Sequence, residues 1–357
     1  MKKKKIIFIV PSLNAGGAER VISILVNNLD KDKFEVAIAL LKKEGIYLNQ
    51  INKGVKVIDL KCKRVRNSFF KILFLLKLEK PDIVFSTLGY LNLFIAIFRK
   101  FLPYNIKFVG RESSIVTEVY KQNTFKNKLF KFLYKRFYNN LDLIISQSEY
   151  MKKDLIHNYN VSSKKVITIN NPVDIYKNKL KAQEDKVILS NKINLISVGS
   201  LRKVKRYDKM IEIISKLKSD KYQLYIIGDG QEEYTLKKKI KELRLENTIT
   251  LLGRKENPFP YLGRCDLFLM TSEYEGFPNS VLEANSLGVP VLAFNSPGGL
   301  TEIIQNNVNG KLVNTEEEFI ENIEKCLRLN KNSIQKSVDK YEVSRIIKKY
   351  EEVLINI

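Results

Sequence analysis

Two glutamates bracket a short loop late in the chain: Glu275-Gly276-Phe277-Pro278-Asn279-Ser280-Val281-Leu282-Glu283. An apolar run expected to be a strand precedes the loop, and a helical pattern expected over 280–287 follows it. The first turn of a helix presents unpaired N–H groups and a partial positive charge, which suits a diphosphate. Gly276 lets a ligand approach the backbone closely. Carboxylates beside a phosphate would be repelled by it. Glu275 and Glu283 are therefore suited to neutral hydroxyls, such as a ribose diol or a sugar ring. The plainer alternative for Glu283 is a favourable acid in a first helical turn.

Cations stand in a second loop, Ser197-Val198-Gly199-Ser200-Leu201-Arg202-Lys203-Val204-Lys205. Placed at a strand end, Lys205 and Arg202 could neutralise a leaving diphosphate as its bond to carbon breaks. A basic surface loop is the alternative. A third segment, Asn14-Ala15-Gly16-Gly17-Ala18-Glu19-Arg20, joins an expected strand to an expected helix. Its paired glycines suit a phosphate loop or a plain turn. The spacing is not GxGxxG, which argues against a nicotinamide dinucleotide.

The elements that must position these loops alternate. Strands are expected at 6–10, 35–40, 55–59, 82–86, 106–109, 143–146 and 166–169, with helical periodicity between them. A polar stretch at 177–186 reads as a linker. The pattern then restarts, with strands at 194–198, 223–227, 250–252, 267–270 and 290–293. Helices are expected near 207–218, 232–243, 280–287 and 316–328, and a last one at 343–357. Apolar strands separated by helices imply parallel sheets covered on both faces. A chain of 357 residues suits two such domains, here 1–175 and 187–342, with the last helix able to pack back on the first. Ligands of such sheets sit at the carboxyl ends of the strands.

Together these segments resemble the GT4 family of retaining glycosyltransferases, and the resemblance spans nearly the whole chain. The glutamate loop resembles the family's E-x7-E motif. That resemblance places Glu275 by the donor sugar and Glu283 on the nucleotide ribose. The amides of Phe277, Asn279 and Ser280, flanked by Gly276 and Pro278, would then meet the diphosphate. The basic loop resembles G-R-L-x-x-x-K. Lys205 matches its Lys, while Ser200 stands where the family has Arg, leaving Arg202 as the candidate guanidinium. The segment around Gly16 and Gly17 resembles the G-G-A-E loop, near donor phosphate and acceptor, with Asn14 on the acceptor side. Ile169-Asn170-Asn171-Pro172-Val173-Asp174 resembles I-x-N-x-V-D. Ile227-Gly228-Asp229-Gly230 resembles the G-x-G turn. Leu252-Gly253-Arg254 resembles the loop near the base.

The implied fold is α/β of the GT-B type, with two Rossmann-like domains facing each other across a cleft. The implied reaction is metal-independent transfer of a hexose or N-acetylhexosamine from a nucleotide sugar, expected to be UDP-linked, with retention and no cofactor. The chain departs from the family at histidine. Its one His, His157, lies in a polar segment and is expected at the surface. Where the family places a cleft His, this chain reads Val109-Gly110-Arg111-Glu112-Ser113-Ser114. Arg111 or Glu112 is the candidate to orient the acceptor there. A single His also excludes His-rich metal sites. Asp30-Lys31-Asp32 spells a DxD, but it follows a helix end and reads as a solvated turn.

Charge and cysteines bound the surroundings. Residues 1–175 hold 32 Lys/Arg against 14 Asp/Glu, whereas the remainder holds 30 against 25. The first half is therefore expected to face an anionic surface such as a membrane, unless a lysine-rich composition is general. Segment 121–140, with Phe125, Leu129, Phe132, Leu133 and Phe137 among lysines, suits an anionic lipid surface or a core-packing helix. Segment 65–78 is of the same kind. Cys62, Cys265 and Cys326 are scattered without a CxxC, so a disulfide framework is not expected. The apolar run at 6–10 is too short for a signal peptide, and no run is long enough to span a membrane. A cytoplasmic protein at the inner face of the cell membrane is expected. Its acceptor is expected to be a glycan, polyprenyl-diphosphate-linked as in capsule or O-antigen assembly. The alternatives are a UDP-sugar 2-epimerase on the same fold and a basic nucleic-acid-binding module. The single His weighs against the first. Aromatics at core periodicity weigh against the second, so no nucleic-acid partner is expected.

Overall fold

A computed structural model describes residues 2–14, 16–185, 187, 189–217 and 220–357. Ala15 of the glycine loop, Lys186 of the expected linker and Lys218 at an expected helix end lie outside the described residues.

The first unit comprises Met1–Pro172 and Val343–Ile357, the second Val173–Glu342. The first sheet contains β1 (Lys4–Val10), β2 (Phe34–Leu40), β3 (Lys56–Asp59), β4 (Ile83–Thr87), β5 (Lys107–Arg111), β6 (Leu143–Ser146) and β7 (Val166–Thr168). Its order is β3-β2-β1-β4-β5-β6-β7, and every pairing is parallel. Alternation along β1 explains the two cores. Ile7 and Ile9 point to one layer, with helices Phe69–Glu79, Gly89–Phe98 and Phe125–Phe137. Ile6, Phe8 and Val10 point to the other, with helices Gly17–Asn28 and Val343–Asn356. The C-terminal helix buries Ile346, Ile347, Tyr350 and Leu354 there. Lys4 Nζ donates to its last carbonyls, 2.7 Å from Ile355 O, which suits the negative end of the helix dipole.

The second sheet contains β8 (Ile193–Val198), β9 (Tyr222–Ile227), β10 (Ile249–Gly253), β11 (Leu267–Met270), β12 (Val291–Phe294) and β13 (Gly310–Val313), in the order β10-β9-β8-β11-β12-β13. It too is parallel. In both sheets the order reverses beside the first strand, which makes a crevice at the carboxyl ends of β1/β4 and β8/β11.

Two differences from the sequence reading stand out. The expected linker is mostly helix Ile175–Lys181, capped by Asp174, and Asn178 donates to Ser286 Oγ at 3.0 Å within the second unit. The first unit therefore ends at Pro172, three residues before the expected end of the first domain at 175, and helix Ile175–Lys181 belongs to the second unit. Strand β13, which begins on a glycine and is half-exposed, was not foreseen. Among the described residues, no helix is long and apolar enough to cross a membrane.

Candidate active site

The basic loop leaves β8 and the glutamate loop leaves β11, so the two meet at the crevice of the second sheet. Lys205 Nζ lies 2.6 Å from Glu275 Oε1, with only 17% and 11% of the two side chains exposed. The loops are stapled to each other. Thr271 Oγ1 donates to the carbonyl of Lys205 (3.0 Å) or of Arg206 (2.9 Å), and Glu273 N donates to Val204 O (2.8 Å). The backbone of Glu275 is pinned as well. Its N–H donates to Pro297 O at 3.0 Å, and Gly299 N–H donates to its carbonyl at 3.1 Å. A Cβ on Gly299 would stand 2.6 Å from Gly276 O, so glycine is required for this approach.

Helix Asn279–Ser286 begins directly after this pair, with Pro278 at its N-cap. The Phe277 ring is buried edge-on against Tyr341, centroids 5.4 Å apart, so only its backbone can face a ligand. Ser280 is partly exposed at the first turn, and Glu283 is 6% exposed. Arg202 is exposed, and its Nε donates to Ser200 Oγ at 3.0 Å. A guanidinium thus stands beside the position where the family pattern has its Arg. The β9 turn closes on the basic loop. Gly230, at φ +156°, leaves only 2.4 Å between an added Cβ and Leu201 O, while Leu201 N donates to Asp229 O at 2.8 Å. Arg254 is exposed just after Gly253, whose φ is +65°. The cations, a helix N-terminus and two carboxylates are therefore gathered at one sheet edge. That arrangement can hold an anionic leaving group next to a polyol.

In the first unit, Gly16 precedes helix Gly17–Asn28 in a tight turn, with Gly16 N donating to Asn14 O at 2.9 Å. A Cβ on Gly16 would strike the Glu19 carboxylate. Burial pushes the Glu19 carboxyl up, against its own backbone N–H and the Arg111 charge. Asn14 is exposed, with its Nδ2 donating to Ser12 Oγ at 2.9 Å.

Arg111 is corrected. It is wholly buried, donating from Nε to the Tyr350 hydroxyl at 3.2 Å and from Nη2 to Asn171 Oδ1. It ties β5 to the C-terminal helix and has no surface to offer an acceptor. Glu112, its neighbour, lines a pocket of about 170 Å³ with Tyr90, Ser113, Val116, Tyr120 and Tyr134. Its carboxylate accepts from the Tyr138 hydroxyl at 2.6 Å and from Ser113 N–H at 3.0 Å. Burial pushes its pKa up to about 7, against those hydrogen bonds. Gly89 makes room, because a Cβ there would stand 2.3 Å from the Tyr134 hydroxyl. Tyr134 and Tyr138 were missed in the sequence. Their spacing on a helix read as amphipathic was the available signal. The aromatic face of that helix also divides, with Tyr134 inward and Phe125, Leu129 and Phe132 exposed. His157 is exposed in helix Glu149–Tyr159, as expected. Asp30 of the DxD accepts from Asp32 N and pairs with Lys33, in keeping with a turn.

Comparison with known proteins agrees. Residues 15–177 match Glycosyltransferase Family 4, and residues 178–342 match Glycosyl transferases group 1. A Campylobacter jejuni protein is 31% identical over 88% of this chain and 87% of its own length. It is N-acetylgalactosamine-N,N'-diacetylbacillosaminyl-diphospho-undecaprenol 4-alpha-N-acetylgalactosaminyltransferase. The chain belongs to the family 4 glycosyltransferases. The O-antigen biosynthesis glycosyltransferase WbnH of Escherichia coli is 27% identical over 88% of each chain. Among solved structures, Anabaena HepE in complex with UDP-glucose superposes with a TM-score of 0.80 at 20% identity, covering 99% of this chain and 100% of that one. A glycosyltransferase from Rickettsia africae gives 0.80 at 20% identity, over 99% and 98%. The fold of this glycosyltransferase is thus GT-B, with two parallel-sheet α/β domains.

Proposed function

We propose that this glycosyltransferase moves a hexose or N-acetylhexosamine from a UDP-linked donor, with retention, to a polyprenyl-diphosphate-linked glycan in capsule, O-antigen or related surface-polysaccharide assembly. The observation that carries the reading is the Lys205–Glu275 pair at the β8/β11 crevice, beside the N-terminus of helix Asn279–Ser286. As the anomeric carbon–oxygen bond breaks, negative charge grows on the diphosphate. Lys205, Arg202 and the helix N-terminus stabilise that charge where it develops. Glu275 faces the donor sugar, and Glu283 takes the ribose hydroxyls. The acceptor hydroxyl attacks from the face the diphosphate leaves, and a donor phosphate oxygen takes its proton. The cations are supplied by the chain, so the reading calls for no resident metal or cofactor.

The relatives support the donor and acceptor classes. HepE binds UDP-glucose, and the Campylobacter relative is named for a diphospho-undecaprenol glycan. Surface chemistry supports work at the inner face of the cell membrane. Phe70, Phe74 and Leu78 are exposed along one helix, and Phe125, Leu129 and Phe132 along another. Both helices carry lysines and both belong to the first unit. At these positions the side chains are exposed, as a lipid-facing surface requires and a core-packing helix does not.

The test is UDP release from a panel of UDP-hexoses and UDP-N-acetylhexosamines with lipid-diphosphate-sugar acceptors. Acceptor-dependent release with one donor, lost in Glu283→Ala, is the expected result. Absence of both release and UDP binding would overturn the donor site.

A further inference from the structure

A second pocket of the first unit, of about 470 Å³, lies at the carboxyl ends of β1, β2 and β3 and is lined by Ser12, Lys42, Lys63, Arg64, Arg66 and Tyr90. No residue of the donor site described above contributes to it. Its basic wall is built, not loose. Lys61 takes a left-handed conformation at φ +48° and turns the chain after β3. Cys62 N then donates to Leu41 O at 2.7 Å, and buried Ser68 Oγ donates to Val65 O at 2.6 Å, fixing both ends of the segment that carries Lys63, Arg64 and Arg66.

Among the described residues, no carboxylate pairs with Lys63, Arg64 or Arg66, and the rim's Glu44 stands 3.8 Å from Lys42. Gathering unpaired cations around one pocket costs self-repulsion and contributes nothing to the fold. It suits an anion carrying more than one charge, which guanidinium forks and ammonium groups grip together.

Two neighbours narrow the ligand. The turn Val65–Asn67 runs directly into helix Phe69–Glu79, whose exposed Phe70, Phe74 and Leu78 recur every fourth residue. Phe69 also meets exposed Phe101 edge-on, ring centroids 6.5 Å apart, which widens the apolar surface. On the other side, Tyr90 is a wall shared with the Glu112 pocket. An apolar surface, a cationic pocket and the small pocket that holds the Glu112 carboxyl thus follow one another around this sheet edge. We propose that the Lys63–Arg64–Arg66 pocket binds the diphosphate of a lipid-linked acceptor, with the lipid leading over Phe70 and Phe74 and the sugar past Tyr90 toward Glu112. This rests on the lipid-diphosphate acceptor of the reading above and adds where its diphosphate is held.

The experiment is calorimetric titration of the full chain with farnesyl diphosphate, farnesol, UDP and phosphatidylglycerol vesicles, alongside UDP release with sugar acceptors that carry or lack a lipid diphosphate. Wild type is compared with the combined variant Lys63→Gln, Arg64→Gln, Arg66→Gln, all at exposed positions. Wild type is expected to bind farnesyl diphosphate and not farnesol. The variant should lose on the order of tenfold or more in affinity for it, since several charge-assisted contacts go at once. UDP binding should be unchanged, which also reports that the variant is folded. Equal binding of farnesyl diphosphate by both proteins, or no preference over farnesol in wild type, overturns the proposal. So does a variant defect confined to phosphatidylglycerol vesicles, which would make the cations readers of a bilayer surface. Loss of UDP binding in wild type would instead sink the donor site. Transfer only to acceptors without lipid would sink the acceptor reading, so each failure is separable.

Discussion

Lys205 and Glu275 are 70 positions apart in the chain, yet Nζ and Oε1 are 2.6 Å apart. The strand order produces this. β8 and β11 are neighbours although β9 and β10 intervene in sequence, so the loops that follow them share one crevice. The pair neutralises itself. On the proposed function, a donor diphosphate would compete for the ammonium and leave Glu275 to the sugar hydroxyls.

Lys205→Ala is therefore expected to lower kcat for sugar transfer by about a hundredfold or more, the cost of removing one group that stabilises leaving-group charge. Lys205→Arg should recover part of the rate. UDP release at saturating donor checks both. A kcat unchanged in Lys205→Ala, with only KM raised, would show that Lys205 binds the donor without acting in the transition state.

Gly299 tests the support of the same loop. An alanine there meets Gly276 O and the Phe277 ring at 2.6 Å, so the Glu275–Phe277 backbone must move. Gly299→Ala should cost about 1–3 kcal/mol of stability and weaken UDP binding. Equilibrium unfolding together with UDP titration measures the two. Unchanged UDP affinity would mean that the loop does not face the nucleotide.

Legibility in the sequence followed locality. The parallel strands were visible because they are short, largely apolar runs, most of them containing β-branched residues, between helical patterns; half-exposed β13, which begins on Gly310, lacked that signature. The two loops that meet at the β8/β11 crevice were visible because glycines and charged residues sit close together in the chain. What was not visible depends on distant packing. Arg111 looks like a cleft cation until Tyr350, 239 residues later, covers it. The helix Phe125–Phe137 shows an amphipathic pattern, but which of its aromatics turn inward is decided by Glu112 and Gly89, which draw in Tyr134.

Arg111 should accordingly behave as a structural residue. Arg111→Met removes donors from Tyr350 and Asn171 inside the core, and is expected to cost about 2–3 kcal/mol. Acceptor KM of the folded fraction should not change. Denaturant unfolding and steady-state kinetics distinguish this from a role in acceptor binding, for which the KM would rise while stability held.

The exposed aromatics make a separate demand. Phe70, Phe74 and Phe132 are 78%, 68% and 60% exposed, so replacing all three by Ser removes little packing. The melting temperature should hold, while co-sedimentation with vesicles containing anionic lipid should fall several-fold. Raising the salt should weaken the wild type further, because lysines contribute the rest. Equal sedimentation of the variant and wild type would remove the membrane from the reading.

Glu112 gives the chain a pH dependence with a definite sign. Its carboxyl is raised from about 4.5 to about 7, chiefly by burial, while Tyr138, Ser113, Ser114 and Tyr134 pull it down. The folded state therefore holds this proton more tightly than the unfolded chain does. The resulting stability is fully present below the unfolded value and is lost as the pH rises through about 7. A shift of this size corresponds to roughly 3–4 kcal/mol at most. Glu112→Gln keeps an oxygen to accept from Tyr138 but carries no proton to lose. The difference in melting temperature between Glu112→Gln and wild type should thus be small near pH 5 and grow in favour of the variant up to pH 8.5. A difference independent of pH would show that Glu112 is ionised throughout, held by its tyrosine and backbone donors against the cost of burial.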